Sequence, residues 1–286
     1  MPPLNLGNPQ PQTPLNAEHA WRATAPRAAD VVLFFDFDGT LAPVGDDPTT
    51  VRPAPKVLAA LEALAPRVRR IAIVSARPVE FLRDRFASLA GIDLYGLYGL
   101  EHSHSGGEIV TEPAALPWMP TMSELAEQAR AELPPGALVE FKRLSVALHW
   151  RTAPHLGDLV QEWGRARAAR LGLRCQAGRM VLELKPPVDR DKGMVIGEVV
   201  RDTGGAWYFG DDVSDIKAFA AVRARCAADP DFVGVCVAVA NPETGHEVAE
   251  AADLTLASPA ALADFLTTAL SHLGADHGVP APGKGS

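Results

Sequence analysis

The segment that most restricts what this chain can fold into is Asp36-Phe37-Asp38-Gly39-Thr40-Leu41, directly after the apolar run Val31-Val32-Leu33-Phe34-Phe35. Five apolar residues without polar alternation read as a strand covered on both faces, as in a parallel sheet. The strand ends in two aspartates two positions apart. Gly39 then frees the backbone to turn, and Thr40 supplies a hydroxyl. Carboxylates at the carboxyl end of a parallel strand stand where open α/β sheets bind ligands. Such a pair can hold a divalent cation, and one member can attack an electrophile as a nucleophile. Taken alone, the same residues also describe an acidic turn after a strand, so the rest of the chain has to decide.

The order of elements favours a large α/β fold. Residues 54–65 place Val57, Leu58, Leu61 and Leu64 on one helical face. Residues 70–75 are a second buried strand, and Pro78 stands where the next helix begins. Residues 94–97 form a short strand, and Gly106-Gly107 marks a hairpin turn. The pattern then changes. Helices over 119–132 and 155–171 alternate with strand-like segments at 138–142, 145–151, 174–176 and 180–185, before Pro186-Pro187 suggests a linker. The first pattern returns with helices over 192–201 and 216–222, strands at 206–209, within 232–240 and at 254–256, and a last helix over 259–273. Thr244 and Glu247 have the spacing of a capping box. The fold class expected is therefore α/β: a doubly wound, Rossmann-like core with a parallel sheet, residues 30–113 and 188–273, interrupted by an inserted α+β cap over 114–187.

Both ends read differently. Residues 1–29 carry six prolines and several Asn and Gln but no apolar stretch of a signal peptide. They read as a flexible leader, with a short helix near 17–24. Residues 274–286 read as a flexible tail. The balance of 27 basic against 35 acidic residues gives a net charge of −8, which argues against a nucleic-acid surface. No run approaches 18 apolar residues, so no membrane span is expected. Three cysteines without metal-type spacing suit buried free thiols in a reducing cytoplasm. The sequence leaves the oligomeric state open, a monomer being compatible with it.

Three further element ends repeat the logic of the first. The strand at 70–75 ends in Ser75-Ala76-Arg77, whose hydroxyl can donate to a phosphate oxygen. A Ser in a tight loop looks the same. Lys192 opens a helix, where the macrodipole disfavours a cation unless an anion is near; a solvated first-turn Lys is the alternative. The strand at 206–209 ends in Gly210-Asp211-Asp212-Val213-Ser214-Asp215. Three carboxylates in five residues repel unless a cation or donors offset them, and an all-oxygen loop suits Mg²⁺. Local capping by Asp212 or Ser214 accounts for part of that pattern. In the middle region, period-two geometry puts Val146, Leu148 and Trp150 on one face and Ala147, His149 and Arg151 on the other. Glu183 and Lys185 share a polar face, as do Glu140 and Lys142.

The ordered set of an aspartate pair, a hydroxyl, a lysine and an acidic loop resembles the haloacid dehalogenase-type phosphatase superfamily over about residues 31–270. A closer resemblance is to the trehalose-6-phosphate phosphatases, through Asp36–Leu41 with Pro43, Gly99-Leu100-Glu101-His102, Val139–Lys142, Ser145–Arg151, Leu182–Pro186, Asp191-Lys192-Gly193 and Gly210–Asp215. The resemblance implies a Mg²⁺-dependent phosphatase acting on a sugar phosphate, with Asp36 as nucleophile and Asp38 as acid and base. It implies phosphate contacts from Gly39, Thr40, Ser75 and Lys192, and substrate contacts from Arg77, Glu140, Lys142 and Glu183. The metal set expected is Asp36, Asp38, Asp211, Asp212 and Asp215. Ile216 stands where the family is often acidic, and Ser75-Ala76-Arg77 where Ser-Gly-Arg is usual. A phosphatase for another sugar phosphate, such as sucrose-6-phosphate or a hexose phosphate, and a catalytically silent sugar-phosphate-binding protein remain as alternatives.

Overall fold

The computed structural model describes residues 16–45, 49–242 and 244–274. Its strands are β1 (Val31–Phe35), β2 (Arg70–Val74), β3 (Asp93–Gly96), β4 (Glu101–Ser103), β5 (Val110–Thr111), β6 (Leu138–Phe141), β7 (Val146–His149), β8 (Arg174–Gly178), β9 (Val181–Lys185), β10 (Gly205–Gly210), β11 (Val233–Val239) and β12 (Leu254–Leu256). The α-helices are α1 (Ala17–Thr24), α2 (Pro55–Leu64), α3 (Val79–Arg85), α4 (Met119–Glu132), α5 (Gly157–Leu171), α6 (Lys192–Val199), α7 (Val213–Ala228), α8 (His246–Ala251) and α9 (Pro259–His272). None of these helices is long and apolar enough to cross a membrane.

Eight strands form one sheet in the order β12-β11-β10-β1-β2-β3-β4-β5. From β12 to β3 all pairs are parallel, and β4 and β5 add an antiparallel edge. The alternation of β1 explains the layering. Val31, Leu33 and Phe35 pack with α1, α2, α3 and α9 on one face, whereas Val32 and Phe34 pack with α6, α7 and α8 on the other. Both faces of β1 are thus dry, which accounts for its unbroken apolar run.

The chain runs outward from β1 to β2 and β3, then returns to lay β10 on the other side of β1. Strand order reverses at the β1/β10 pair, the point where doubly wound sheets open a crevice. Phe35 lies opposite Phe209 in that register. The Asp36 and Asp211 loops therefore leave the sheet side by side.

Residues between β5 and α6 build a second sheet of four antiparallel strands, β6-β7-β9-β8. Val146, Leu148, Leu182 and Leu184 face α4 and α5 and form a separate apolar cluster with Met122, Leu125 and Val160. The opposite face carries a row running Glu140, Ala147, Glu183 and Gln176 across all four strands.

Three expectations need correcting. Residues 17–29 are not a flexible leader. The α1 segment is an integral part of the core, where Trp21 is fully buried and stacks on Trp207 with ring centroids 3.6 Å apart. Thr24 accepts a hydrogen bond from Trp207 Nε1. Residues 1–15, and 275–286 of the expected tail, lie outside the described residues. The capping box at Thr244 and Glu247 is absent, because Gly245 is the N-cap of α8 and the Thr244 hydroxyl is engaged with Asn241 and Val239 backbone. Cys236 is buried, but Cys175 is exposed on β8, so the thiols are not uniformly buried.

The Trp21–Trp207 stack gives a direct test of the first correction. Removing a buried Trp side chain costs roughly 3–5 kcal/mol. Trp21→Ala is expected to lower the unfolding free energy by about that amount in a denaturant titration, whereas a flexible leader would give no change.

Candidate active site

Among the described residues, Asp36, Asp211 and Asp215 offer carboxylate oxygens that all lie within 4.8 Å of one another. All three are buried. Their origins follow from the sheet: Asp36 is the first residue after β1, and Asp211 the first after β10. Asp215 lies in the first turn of α7. Lys192, in the first turn of α6, reaches between them and is itself only 2% exposed. Its Nζ lies 3.0 Å from Asp36 Oδ1 and 2.7 Å from Asp215 Oδ1.

Asp215 is the organising carboxylate. Its Oδ1 accepts from Lys192 and, at 2.6 Å, from Tyr208 OH, while its Oδ2 accepts from the backbone N–H groups of Asp211 and Asp212 at 3.0 and 3.1 Å. With four donors satisfied, it fixes the acidic loop. Asp211 accepts from Thr40 Oγ1 at 3.2 Å and from Asn241 Nδ2 at 2.7 Å. Gly39 makes this approach possible: it sits at φ +80, and a Cβ there would lie 2.1 Å from Asp211 Oδ2.

The electrostatics show an unbalanced excess of negative charge. Burial pushes the Asp36 carboxyl well above its ordinary value; Lys192 opposes that shift, and Asp215 and Asp211 add to it. Asp211 is raised by burial and by the neighbouring carboxylates of Asp215 and Asp212. Burial works to lower Lys192, but Asp215 and Asp36 outweigh it and keep the ammonium charged. One ammonium faces three carboxylates in the cluster, and the upward shifts of Asp36 and Asp211 show that it does not offset all of them when they are ionised. A hard divalent cation on oxygen donors fits that residue set.

Two of the expected metal residues are not brought into the cluster. Asp38 is gripped by Arg77, whose Nε and Nη2 lie 2.7 and 2.8 Å from its two oxygens. Asp212 caps α7 instead, accepting from the Ser214 N–H and hydroxyl at 2.8 and 2.6 Å. Ser75 is buried at the end of β2, where its Oγ accepts the Arg77 N–H at 3.1 Å.

A cleft of about 830 Å³ separates this floor from the polar face of the second sheet, and Asp38, Arg77, Asp211, Glu140, Lys142 and Glu183 all line it. Arg77 spans it, donating from Nη1 to Glu140 Oε1 at 3.1 Å. Glu140 also meets His149 at 3.0 Å and Lys142 at 3.7 Å. Burial works to raise the Glu140 carboxyl, but the His149 hydrogen bond and the charges of Lys142 and Arg77 prevail and set it at about 2. Glu183 is likewise held low against burial, by Lys142 and by a 2.7 Å hydrogen bond from Ser145. Both carboxylates are therefore ionised acceptors.

Sequence reading missed three residues here. Asn241 and Tyr208 support Asp211 and Asp215, and Tyr98 donates to Glu183 Oε2 at 3.2 Å. Asn241 alone carried a usable signal, as a polar residue just past the end of a parallel strand. Leu97, Tyr98 and Gly99 have φ of 51, 59 and 93. For the two non-glycine residues, left-handed backbone costs about 1–2 kcal/mol each.

Known proteins resemble the chain in fold and in sequence. The chain superposes on a trehalose-6-phosphate phosphatase related protein with a TM-score of 0.70 at 23% identity, over 83% of this chain and 96% of that one. For the C-terminal domain of the C. albicans trehalose-6-phosphate phosphatase the TM-score is 0.74 at 21% identity, over 89% and 96%. For a haloacid dehalogenase-like hydrolase from Bacteroides thetaiotaomicron it is 0.59 at 15%, over 84% and 99%. At these identities the likeness is one of fold. In sequence, the trehalose-phosphatase family model matches residues 34–255. A trehalose-phosphate phosphatase of Mycobacterium marinum is 38% identical over 266 residues, covering 88% of this chain and 64% of its own length. One from Mycobacterium leprae is 35% identical over 254 residues, covering 83% and 57%. The chain belongs to the trehalose-phosphatase family, and it spans less than two thirds of the length of these relatives.

The cluster makes a stability prediction. Breaking a buried ion pair by removing one partner typically costs about 3–5 kcal/mol. Lys192→Ala is expected to destabilise the metal-free protein by that order in denaturant unfolding, and millimolar divalent cation is expected to recover part of the loss. A solvated first-turn lysine would leave both curves unchanged.

Proposed function

We propose that the chain is a Mg²⁺-dependent phosphatase that hydrolyses trehalose 6-phosphate to trehalose and phosphate. The observation that carries this reading is the buried cluster of Asp36, Lys192, Asp211 and Asp215 at the floor of a cleft that Asp38 and Asp211 line, facing a sheet that presents Glu140, Lys142 and Glu183 to the same cleft. Family membership supports the substrate. We further propose that residues 114–187 act as a cap over the core and that the protein works in the cytoplasm.

In this mechanism Asp36 attacks phosphorus, a new O–P bond forms, and the bond from phosphorus to the sugar oxygen breaks. Asp38 gives its proton to the departing oxygen. Asp38 then takes a proton from water, which attacks the aspartyl-phosphate, releases phosphate and regenerates Asp36. Lys192 offsets charge where two anions must approach, and Ser75 and the Gly39–Thr40 turn orient the phosphate. Asp36 and Asp211 would hold Mg²⁺, with Asp215 saturated behind them. When bound, the ion neutralises phosphate charge and supplies electrostatic stabilisation in a site shielded from water.

Arg77 imposes an ordering on these steps. While it grips Asp38, both carboxyl oxygens are engaged as acceptors of the guanidinium and neither is turned to the departing oxygen. Productive binding must loosen this pair. Because the same guanidinium holds Glu140, loosening is tied to what occupies the polar row.

The deciding experiment is phosphate release from a panel of sugar phosphates and an aryl phosphate, with Mg²⁺ and with chelator. Trehalose 6-phosphate is expected to give the highest kcat/KM, and chelator to abolish turnover. A preference for sucrose-6-phosphate or a hexose phosphate would overturn the substrate assignment, and no turnover of any substrate would favour a silent binding protein. Asp36→Asn is expected to reduce turnover to background with the fold intact. Asp38→Ala is expected to cost roughly 10²–10⁴-fold, the range for a positioned acid or base.

Separate variants test the two halves of the cleft. Asp211→Ala is expected to raise the Mg²⁺ concentration at half-maximal rate by a large factor, and an unchanged titration would remove it from the metal set. Glu140→Ala, Lys142→Ala and Glu183→Ala are each expected to lower kcat/KM for trehalose 6-phosphate about 10- to 150-fold, the range for one charged hydrogen bond. The aryl phosphate rate should change little. Parallel loss of both activities would assign these residues to cap folding instead.

A further inference from the structure

We propose that Tyr98 is a positioning residue that sets specificity, by holding the sugar-facing carboxylate of Glu183 in place from the core side. The proposal rests on the reading of the cleft as a sugar-phosphate site. Tyr98 does not belong to the second sheet. It lies in the short turn between β3 and β4, yet its side chain crosses to that sheet and is 7% exposed. Its hydroxyl donates to Glu183 Oε2 at 3.2 Å and accepts from Gln176 Nε2 at 2.8 Å. Lys185 Nζ lies 4.0 Å from the centre of its ring and also donates to Gln176 Oε1. Glu183 and Gln176 are neighbours in the polar row, so the phenol sits against two members of that row at once.

The other end of the same residue is fixed to the phosphate side. The Tyr98 N–H donates to the Ser75 carbonyl at 2.9 Å, and the Leu97 N–H to the Arg77 carbonyl at 3.0 Å. These bonds hold the turn in its left-handed conformation. Gly99 is required there, since a Cβ would lie 2.4 Å from Val195 Cγ2. A strained turn pinned to the Ser75–Arg77 loop and ending on Glu183 is a rigid spacer between the phosphate loop and the sugar row. Burial and the Glu183 charge push the phenol well above its ordinary value, so it remains a donor.

The division of labour on Glu183 follows. Its Oε1 is held by Ser145 and Lys142 from within the second sheet, whereas its Oε2 is held by Tyr98 from the core. Tyr98 thereby fixes the distance between phosphate and the carboxylate that would meet the far hydroxyls. The row then favours a sugar of one length over shorter ones. Because this contact is remote from phosphorus, it acts in ground state and transition state alike and belongs in KM.

The test is Tyr98→Phe, which keeps the ring and deletes the hydroxyl, with Gln176→Leu as a second variant that removes the other partner of the phenol. Steady-state kinetics are measured on whichever sugar phosphate the wild-type protein prefers and on an aryl phosphate. Tyr98→Phe is expected to raise KM for the sugar phosphate about tenfold, with kcat within about threefold and the aryl phosphate within about twofold, as for loss of one hydrogen bond to a charged acceptor. Gln176→Leu should shift the same ratio in the same direction. Equal losses on both substrates, or a fall in kcat alone, would assign Tyr98 to folding of the turn and overturn the proposal. Unchanged kinetics would overturn it too. A wild-type preference for a sugar phosphate other than trehalose 6-phosphate would sink the substrate reading while leaving the Tyr98 ratio readable. A wild-type protein active on the aryl phosphate alone would sink both.

Discussion

The structure of the cleft depends on one ammonium placed between carboxylates. Lys192 lies between Asp36 and Asp215, all three buried, where uncompensated charge is most expensive. Asp215 accepts four donors, and this cation is the one among them that offsets its charge. Those donors in turn hold the backbone of Asp211 and Asp212 against the end of β10. A helix that begins with a lysine runs against its own dipole, so α6 needs the carboxylates as much as they need it. Asp191 relieves part of that conflict as the N-cap, accepting from the Met194 N–H.

How much of this was legible in the sequence depended on how local the cause was. The β1 strand, its aspartate pair and the second acidic loop were readable because buried strands and polar strand ends mark adjacent residues. The alternation of the second sheet was readable for the same reason, down to the polar face bearing Glu140 and Glu183. What failed to show was set by distant partners. The helix at 17–24 was legible but its place in the core was not, because that depends on the Trp21 ring meeting Trp207. Thr244 and Glu247 have capping spacing, but Gly245 reaches the N-cap position first. Asp38 and Asp212 have the right chemistry for a metal and are claimed by Arg77 and by the first turn of α7. Tyr98 owes its position to a partner 85 residues away and to backbone angles that no periodicity reveals.

The polar networks on the two sides of the cleft are continuous. From Asp38 the contacts pass through Arg77 to Glu140, on to Lys142 and Glu183, and back to the core through Tyr98. Arg143 adds a separate tie at the edge, meeting the buried Glu101, which itself accepts the Val79 N–H at the start of α3. Each of the two sheet-lining carboxylates is satisfied by protein donors, so a bound hydroxyl must exchange for a partner already present. Such exchange leaves few polar groups stranded and makes the two sheets sense the same occupant.

The side-by-side exit of the two acidic loops has a consequence for how the molecule is made. Thr40 and Asp211, in hydrogen-bond contact, are 171 positions apart. On a growing chain, β1 emerges early with one lateral edge already matched to β2. Its other edge stays unpaired until Gly205–Gly210 arrives. Meanwhile the four-stranded sheet and its two helices, encoded wholly between those events, have their complete set of strands available. Long-range parallel pairing of this kind is slow, and an open apolar strand edge is prone to adhesion. The crevice that gathers the acidic groups is therefore also a seam that closes late, with only β11 and β12 still to be added beyond it, and the acidic cluster, with Lys192 supplied only shortly before β10, takes shape late in synthesis.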